Sequence, residues 1–355
     1  MSLLFEPYRS RALTIPNRVW VSPMCQYSAT EGVPGDWHLV HLGQFAAGGA
    51  GLVVAEATAV TPEGRISPQD TGIWTDEQVA AWRRITDFLH GQGAVAGIQL
   101  GHSGRKGSAY RPWDGSGTIP AAEGGWTPVG PSAEAFGEFA APRALSTDEV
   151  AALPGQFAAA ARRSLDAGFD VLELHFAHGY LVHQFLSPLS NTRTDRYGGA
   201  FEGRTLLALE ILDAVRAEVG PDVPVFARLS ATDWAEGGWT ADDSVRLAKV
   251  LGERGADLID VSTGGNVPNP SIPVGPGYQV PFAEQIRREA GIPVASVGMI
   301  TEARQADEIL DSGAADAVFI GRAMLRDPHW ALRAAHELGD TARWPDQYRR
   351  AANWR

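Results

Sequence analysis

Eight short stretches of this chain are apolar at consecutive positions and rich in Val, Ile and Ala. Unbroken hydrophobicity of this kind is typical of strands that are buried on both faces, as in parallel sheets. The eight stretches are Arg18–Ser22, Gly51–Ala55, Ala94–Ile98, Asp170–Leu174, Pro224–Ala227, Asp257–Val261, Pro293–Ser296 and Asp316–Ile320. We therefore predict eight buried parallel strands.

Segments with apolar residues at helical spacing lie between these stretches. They predict helices near Trp37–Ala47, Thr75–His90, Gly155–Asp166, Glu202–Glu218, Ala241–Arg254, Pro281–Glu289, Glu302–Leu310 and Pro328–Leu338. Residue pairs typical of capping boxes precede three of them: Thr75 with Gln78, Ser146 with Glu149, and Thr240 with Asp243. Pro154 is expected to separate the third helix from a short turn before it.

The alternation of strand and helix indicates the α/β class. An open doubly wound sheet usually carries a Gly-rich turn after its first strand, whereas here that strand runs into Pro23–Tyr27. We therefore predict a single (β/α)8 TIM barrel over residues 1–355. The segment 103–143, rich in Gly, Pro and Trp, is too long for an ordinary connection after strand 3 and is expected to be a lid or capping insertion.

The charge balance excludes several classes of partner. With a formal net charge of -12, the chain offers no basic patch for nucleic acid or an anionic membrane surface. The opening residues, MSLLFEPYRS, do not resemble an export signal, and no run approaches the ~18 apolar residues of a membrane helix. The single cysteine, Cys25, cannot form an internal disulfide. A soluble cytoplasmic protein is expected.

Residues that can bind a ligand or react follow the predicted strands at equivalent places. They are Pro23–Cys25, Ala57, Gln99, His175 with His178, Arg228, Ser262, Gly298, and Gly321–Arg322. In a parallel barrel the carboxyl ends of all strands lie on one face, where the loops build the active site. The pattern therefore predicts an enzyme.

The richest cluster of such residues follows the fourth strand. His175 and His178 lie three residues apart and can direct two donors at one substrate oxygen that gains negative charge. Tyr180 can protonate a carbanion or enolate, because a phenol with a pKa of about 10 keeps its proton at neutral pH. Two histidines can also bind zinc, but neighbouring strand ends offer Gln99 and Arg228 rather than further ligands. No metal is expected.

An anion site is expected after the last two strands. Gly298 follows the seventh strand, and Gly321 with Arg322 follows the eighth. Glycines allow backbone N–H groups to approach a phosphate, and an arginine adds a charge-assisted contact. Phosphate commonly binds at this place in such barrels. Arg228 and Gln99 would face the barrel mouth beneath the ligand.

Five motifs spread over nearly the whole chain resemble the old yellow enzyme family. They are SPMCQY at Ser22–Tyr27, GIQLGHSGRK at Gly97–Lys106, HFAHGYL at His175–Leu181, SPLSNTRTDRYGG at Ser187–Gly199 and GR at Gly321–Arg322. The cysteine of the first motif and the histidine pair are similar to the bacterial thermophilic-like or xenobiotic-reductase-like ene-reductases. The resemblance implies an FMN-dependent barrel that reduces activated carbon–carbon double bonds, in small-molecule alkenes, with NADPH or NADH.

The resemblance also implies roles for the matching residues. FMN would be held by Ser22, Pro23, Met24, Cys25, Ala57, Gln99, Arg228, Gly321 and Arg322, to which we add the strand-end residues Ser262 and Gly298. Cys25 would lie beside the flavin ring. His175 and His178, helped by Tyr27, would bind the substrate carbonyl. Tyr180 would protonate the carbon next to that carbonyl.

The C-terminal residues 340–355 are expected to form an interface tail. In the related branch the segment matching Gln347–Arg350 reaches a neighbouring subunit's site. This implies a homodimer or homotetramer with Arg350 lining the partner's pocket. Trp354 gives the tail an apolar side chain to bury at such an interface.

Two alternative functions use the same residues. A metal-dependent barrel hydrolase could use His175 and His178 as ligands. A non-catalytic flavin or phosphoester binder is the other alternative, which the combination of Tyr180 with both histidines disfavours.

Overall fold

Eight parallel strands close into a barrel in the computed structural model, which describes residues 2–352. The strands are β1 (Val19–Val21), β2 (Leu52–Ala59), β3 (Val95–Gly101), β4 (Val171–Phe176), β5 (Val225–Ser230), β6 (Leu258–Ser262), β7 (Val294–Ser296) and β8 (Ala317–Ile320). They pair in chain order, and β8 closes on β1 with Ile320 opposite Val21. The predicted (β/α)8 TIM barrel is confirmed.

Helices connect the strands around the outside of the barrel. They are α1 (Asp36–Ala47), α2 (Asp76–Gly91), α3 (Thr147–Asp166), α4 (Phe201–Val219), α5 (Ala241–Glu253), α6 (Val280–Ala290), α7 (Ala303–Asp311) and α8 (Trp330–Glu337). Short helices Leu181–Leu186 and Arg322–Arg326 follow β4 and β8. The three predicted capping boxes are present. Within residues 2–352, each helix is too short or too polar to span a membrane.

Helix α3 continues through Pro154, so the expected break at this residue is wrong. Val150 and Leu153 before the proline and Phe157 after it are all buried on one face. Burial contributes about 1.5–3 kcal/mol for each such side chain, whereas a proline inside a helix costs about 3 kcal/mol. The buried face therefore keeps the helix continuous.

Aromatic rings fill the amino-terminal end of the barrel. Trp20 stacks on Phe226 with 5.8 Å between ring centroids and meets Phe319 edge-on at 5.4 Å. An N-terminal β-hairpin, formed by Tyr8–Ser10 and Leu13–Ile15, packs its tyrosine ring on Trp20 at 5.3 Å. This end is closed, so a ligand must enter from the carboxyl ends of the strands.

A layer of polar side chains lies next to these aromatic rings, on the side toward the carboxyl ends of the strands. It consists of Gln99, Glu173, Arg228 and Asp260, all buried. Side chains on a strand alternate between its two faces, so Arg228 lies two residues above Phe226 on the same inner face. The barrel interior therefore changes from apolar to polar toward its carboxyl end.

The long segment after β3 contacts that end of the barrel. It contains the 3-10 turns Gly104–Lys106 and Ala121–Glu123 and a short parallel pair, Val129–Gly130 with Arg143–Ala144. Its Trp113 ring meets the ring of Tyr27 edge-on at 5.8 Å. Residues of this segment therefore border the predicted site.

Candidate active site

His175, His178 and Tyr180 come together at the carboxyl end of β4. The ring centroid of His175 lies 5.1 Å from that of His178 and 5.0 Å from that of Tyr180, both edge-on. A tight turn brings them together, with positive φ of 58° at His178 and 70° at Gly179. The structure thus gathers the three residues for which the sequence predicts binding and proton transfer.

Neighbouring side chains hold this turn in place. The Ser230 hydroxyl accepts the His178 N–H at 2.9 Å, and Nδ1 of His183 accepts the Gly179 N–H at 2.9 Å. Nζ of Lys106 donates to the His178 carbonyl at 2.9 Å. The lysine comes from the segment after β3 and was not predicted to be a site residue. The turn is therefore held from β5, from the short helix Leu181–Leu186 and from the segment after β3.

Burial sets the protonation of this cluster. It lowers the pKa of His175 and of His178, and the charge of Arg228 lowers both further, so the two imidazoles are neutral at pH 7. Nδ1 of His175 accepts the Ala177 N–H at 3.4 Å, which leaves the proton on Nε2. Burial also raises the pKa of Tyr180, so the phenol keeps its proton. The cluster offers hydrogen-bond donors and one transferable proton.

Each polar side chain beneath the cluster is held by a carboxyl group. Nε2 of Gln99 donates to Oε1 of Glu173 at 2.6 Å. Nε of Arg228 lies 2.9 Å from Oδ2 of Asp260, and Nη2 of Arg228 donates to Oγ of Ser262 at 2.9 Å. The sequence predicted Gln99, Arg228 and Ser262 as site residues, but neither Glu173 nor Asp260. Glu173 lies two residues before His175, and Asp260 lies two residues before Ser262. Because alternate residues of a strand share one face, this spacing could have identified both carboxyls as inward-facing.

The charge of Arg228 acts on the pKa of both carboxyl groups, Glu173 and Asp260. Burial raises the pKa of Glu173 to about 8; the charge of Asp260 adds to the rise, and that of Arg228 opposes it. Burial also raises the pKa of Asp260 to about 6, against the effect of Arg228. At neutral pH, therefore, Asp260 balances Arg228 while Glu173 is largely protonated.

A cavity of about 720 Å³ opens beside this layer. Six of the predicted cofactor residues line it: Met24, Arg228, Ser262, Gly298, Gly321 and Arg322. Gly298 has φ +121°, and an added Cβ would lie 2.7 Å from Nε2 of Gln279. A Cβ on Gly321 would point toward Met24 Sδ, 3.7 Å away. Gly298 cannot take a side chain without strain, and both glycines line the cavity.

The chemistry of this lining fits FMN. Two glycines and the exposed Arg322 lie at the ends of β7 and β8, where a phosphate can approach backbone N–H groups and a positive charge. Arg228, on β5, also lines the cavity, and its guanidinium could donate to the polar edge of a flavin ring. The lining therefore offers groups for a phosphate and for a flavin ring.

The remaining predicted site residues lie around the ends of β1 and β2. The Ser22 N–H donates to the Ile320 carbonyl at 3.1 Å and continues the pairing of β1 with β8. After Pro23, Cys25 and Tyr27 are half-buried. Burial raises the pKa of the Cys25 thiol, and nearby carboxylates add to the rise. The cysteine is therefore a thiol at neutral pH.

A smaller cavity connects the ends of β2 and β4. Ala57, Asp70, His175 and Tyr180 are among the residues that line it. Burial raises the pKa of Asp70 to about 7, with the charge of Glu56 adding to the rise. Asp70 lies in a loop after β2, and no feature of the sequence distinguished it from other loop acids.

The C-terminal tail begins to fold against its own chain. Arg350 lies exposed in the 3-10 helix Asp346–Ala351, and the ring of Tyr348 lies 5.9 Å from that of His329. Trp354 lies outside the described residues. The contact of Arg350 with a second subunit stays a prediction.

This fold and this lining define a flavin-binding TIM-barrel oxidoreductase. The chain belongs to the NADH:flavin oxidoreductase / NADH oxidase family, which matches residues 3–341. It is 49% identical over 354 residues to an NADPH dehydrogenase from Listeria innocua, covering 99% of each chain. It is also 44% identical over 363 residues to an NADH:flavin oxidoreductase from Gibberella zeae, covering 97% of this chain and 88% of that protein.

Solved structures agree with this assignment. Morphinone reductase in complex with tetrahydroNAD is 31% identical with a TM-score of 0.78, over 97% of this chain and 92% of the other. An old yellow enzyme homologue from Zymomonas mobilis has a TM-score of 0.78 and 29% identity, over 97% of each chain.

The predicted relationship to the old yellow enzyme family is thereby confirmed. The protein is an NAD(P)H-dependent oxidoreductase with FMN as its cofactor. The hydrolase and the non-catalytic binder are not supported.

Proposed function

We propose that this enzyme reduces the carbon–carbon double bond of α,β-unsaturated carbonyl or nitro compounds. The observation that carries the proposal is the convergence of two neutral imidazoles and a protonated phenol at the end of β4. FMN, when bound, takes hydride from NAD(P)H and supplies it to a substrate carbon. The protein must then bind the substrate oxygen and supply a proton.

The histidines bind the substrate oxygen in this proposal. Nε2–H of His175 and a ring N–H of His178 donate to it, and Tyr27 completes the pocket. Because negative charge grows on this oxygen during reduction, each bond contributes on the order of 1.5–3 kcal/mol. Neutral donors suit this task, since they polarise the oxygen without giving up a proton.

Tyr180 delivers the proton to the carbon next to the activating group. The raised pKa of its phenol makes it a weak acid, which a strongly basic carbanion can still deprotonate. Nζ of Lys106 lies 5.6 Å from the Tyr180 ring centroid. Burial lowers the pKa of Lys106 to about 7, so the protonated fraction of this lysine would stabilise the phenolate left behind. Solvent then returns the proton to the phenolate.

The residues that we propose to hold FMN are Ser22, Pro23, Met24, Cys25, Ala57, Gln99, Arg228, Ser262, Gly298, Gly321 and Arg322. Segment 103–143 caps the site, and residues 340–355 reach a second subunit in a homodimer or homotetramer. These assignments rest on position at the strand ends and on the motifs that the chain shares with its family.

Isotopic labelling tests the proposed reaction. Cyclohexenone and NADPH are incubated with the enzyme in D2O, and the product is analysed by mass and NMR. We expect cyclohexanone with solvent deuterium on the carbon next to the carbonyl and none on the far carbon. Oxidation of NADPH without formation of the saturated ketone would refute the assignment.

A further inference from the structure

A β-bulge at Glu56 interrupts β2 near the site. The register of β2 against β3 shifts between Ala55 and Ala57, so Glu56 is the extra residue. Bulges of this kind redirect a side chain and are frequent next to active sites. Glu56 is only 3% exposed, and a buried glutamate needs partners. Its contacts therefore indicate why the bulge is there.

Both carboxylate oxygens of Glu56 are used, on two different elements. Oε2 accepts the backbone N–H of Gln26 at 2.5 Å. Oε1 lies 2.9 Å from Nε2 of His38 on α1, within ion-pair distance but without the alignment of a hydrogen bond. Nδ1 of His38 accepts the Gly35 N–H at 3.0 Å, which places the imidazole proton on Nε2, the ring nitrogen nearest Glu56. The contacts form a chain from the start of α1 to the backbone of Gln26.

Gln26 lies between Cys25 and Tyr27, which are both assigned to the site above. Its own side chain donates to the Met24 carbonyl at 2.7 Å and accepts from Nε1 of Trp37 at 3.0 Å. Tyr27 has φ +52°, a strained conformation for a residue other than glycine. Such a conformation persists only where neighbouring groups hold it. The Glu56 carboxylate accepts the backbone N–H of Gln26, the residue directly before Tyr27.

We propose that Glu56 and His38 are positioning residues that fix the Cys25–Tyr27 loop against the cofactor cavity. The inference rests on the proposed function only in assigning Cys25 to the flavin and Tyr27 to the substrate. Neither positioning residue touches these ligands in the proposal. They act through the backbone of Gln26.

Two substitutions of His38 separate its contact with Glu56 from its contact with the Gly35 N–H at the start of α1. His38→Gln keeps a donor near the Nε2 position, facing Glu56, but loses the acceptor for Gly35. His38→Asn keeps an acceptor near the Nδ1 position but loses the donor to Glu56. Glu56→Ala removes both contacts of the carboxylate. All three variants are prepared as FMN-loaded, full-length protein.

The readout is the alkylation rate of Cys25 by iodoacetamide, measured by intact mass. Because Cys25 is the single cysteine, the rate reports on this loop alone. We expect at least about tenfold faster labelling in His38→Asn and Glu56→Ala, and a rate within about twofold of wild type in His38→Gln. His38→Asn retains the Glu56 carboxylate, so its acceleration cannot come from removing a negative charge near the thiol.

Two results would overturn the proposal: wild-type labelling in His38→Asn, or labelling in His38→Gln as fast as in His38→Asn. The second result would mean that capping of α1, not contact with Glu56, holds the loop. The His38 pair decides the question even if Glu56→Ala does not fold. Labelling needs no turnover, so a failure to reduce enones would leave this test intact.

Discussion

Gln99 and Glu173 face each other across neighbouring strands and form a hydrogen bond of 2.6 Å inside the barrel. Among the described residues, Oε2 of Glu173 has no hydrogen-bond partner. A buried carboxyl with a free oxygen is more stable as the neutral acid, in line with its pKa of about 8. The side chain that orients Gln99 is thus itself sensitive to pH.

This relationship predicts a pH-dependent stability. Between its ordinary pKa of 4.5 and about 8, Glu173 keeps a proton in the folded protein that the unfolded chain has released. Wild type therefore loses stability as pH rises through this window, and Glu173→Gln should not. We expect the melting temperature of the variant to gain a few °C on wild type between about pH 5 and pH 8.

A matched substitution controls for general effects of lost charge. Glu77 is exposed in the first turn of α2, so Glu77→Gln should keep a constant offset from the wild-type melting temperature between about pH 5 and pH 8. A constant offset between Glu173→Gln and wild type across this range would show that Glu173 is ionised in the folded state.

Tyr180→Phe should separate the two halves of the catalytic cycle. Reduction by NADPH needs no proton from this phenol and should stay near the wild-type rate. Reoxidation by an enone should slow by about 10²–10⁴-fold, the usual loss for a positioned general acid. Stopped-flow absorbance measures both steps, and equal slowing of both would indicate a structural role for Tyr180.

The hydrophobic pattern located every barrel strand but ended several too early. β3 runs to Gly101 and β5 to Ser230, beyond the expected ends at Ile98 and Ala227. These extensions contain inward-facing polar residues, Gln99 and Arg228. Because a buried strand is recognised by consecutive apolar residues, the first polar residue predicts its end. Only the partner carboxyls on adjacent strands make these positions favourable, and such pairing depends on the barrel register.

Replacement of His175 and His178 by alanine together should weaken ligand binding more than cofactor binding. Loss of two hydrogen bonds to a charge-developing oxygen should cost several kcal/mol, at about 1.5–3 kcal/mol each. Titration of the flavin-loaded protein with a phenolic ligand gives the dissociation constant. Unchanged affinity would remove the oxygen-binding role, and loss of FMN would indicate a folding role instead.

Removal of residues 348–355 tests the tail. We expect lower catalytic efficiency and weaker self-association together, with FMN largely retained because the barrel's own strand ends hold it. Arg350→Ala in the full-length chain is the matched control, which should lower efficiency without changing the mass in solution. A truncated protein with native mass and full activity would show that the tail serves neither purpose.

The local chemistry of the site was easier to predict than its supports. His175, His178 and Tyr180 form a local sequence motif, so their proximity follows from three- and five-residue spacing within one turn. Glu56 acts on Gln26, 30 residues away, through a bulge that sequence does not reveal. Contacts of this kind depend on the closed barrel.

The proposed ene-reductase activity can be observed in one anaerobic experiment on the purified, FMN-loaded protein. NADPH is added until the yellow absorbance is bleached, and cyclohexenone is then added without oxygen. The ene-reductase proposal predicts that the yellow absorbance returns, with one equivalent of cyclohexanone formed for each flavin. Bleached protein that stays bleached with cyclohexenone, and with a nitroalkene in its place, would contradict the proposal.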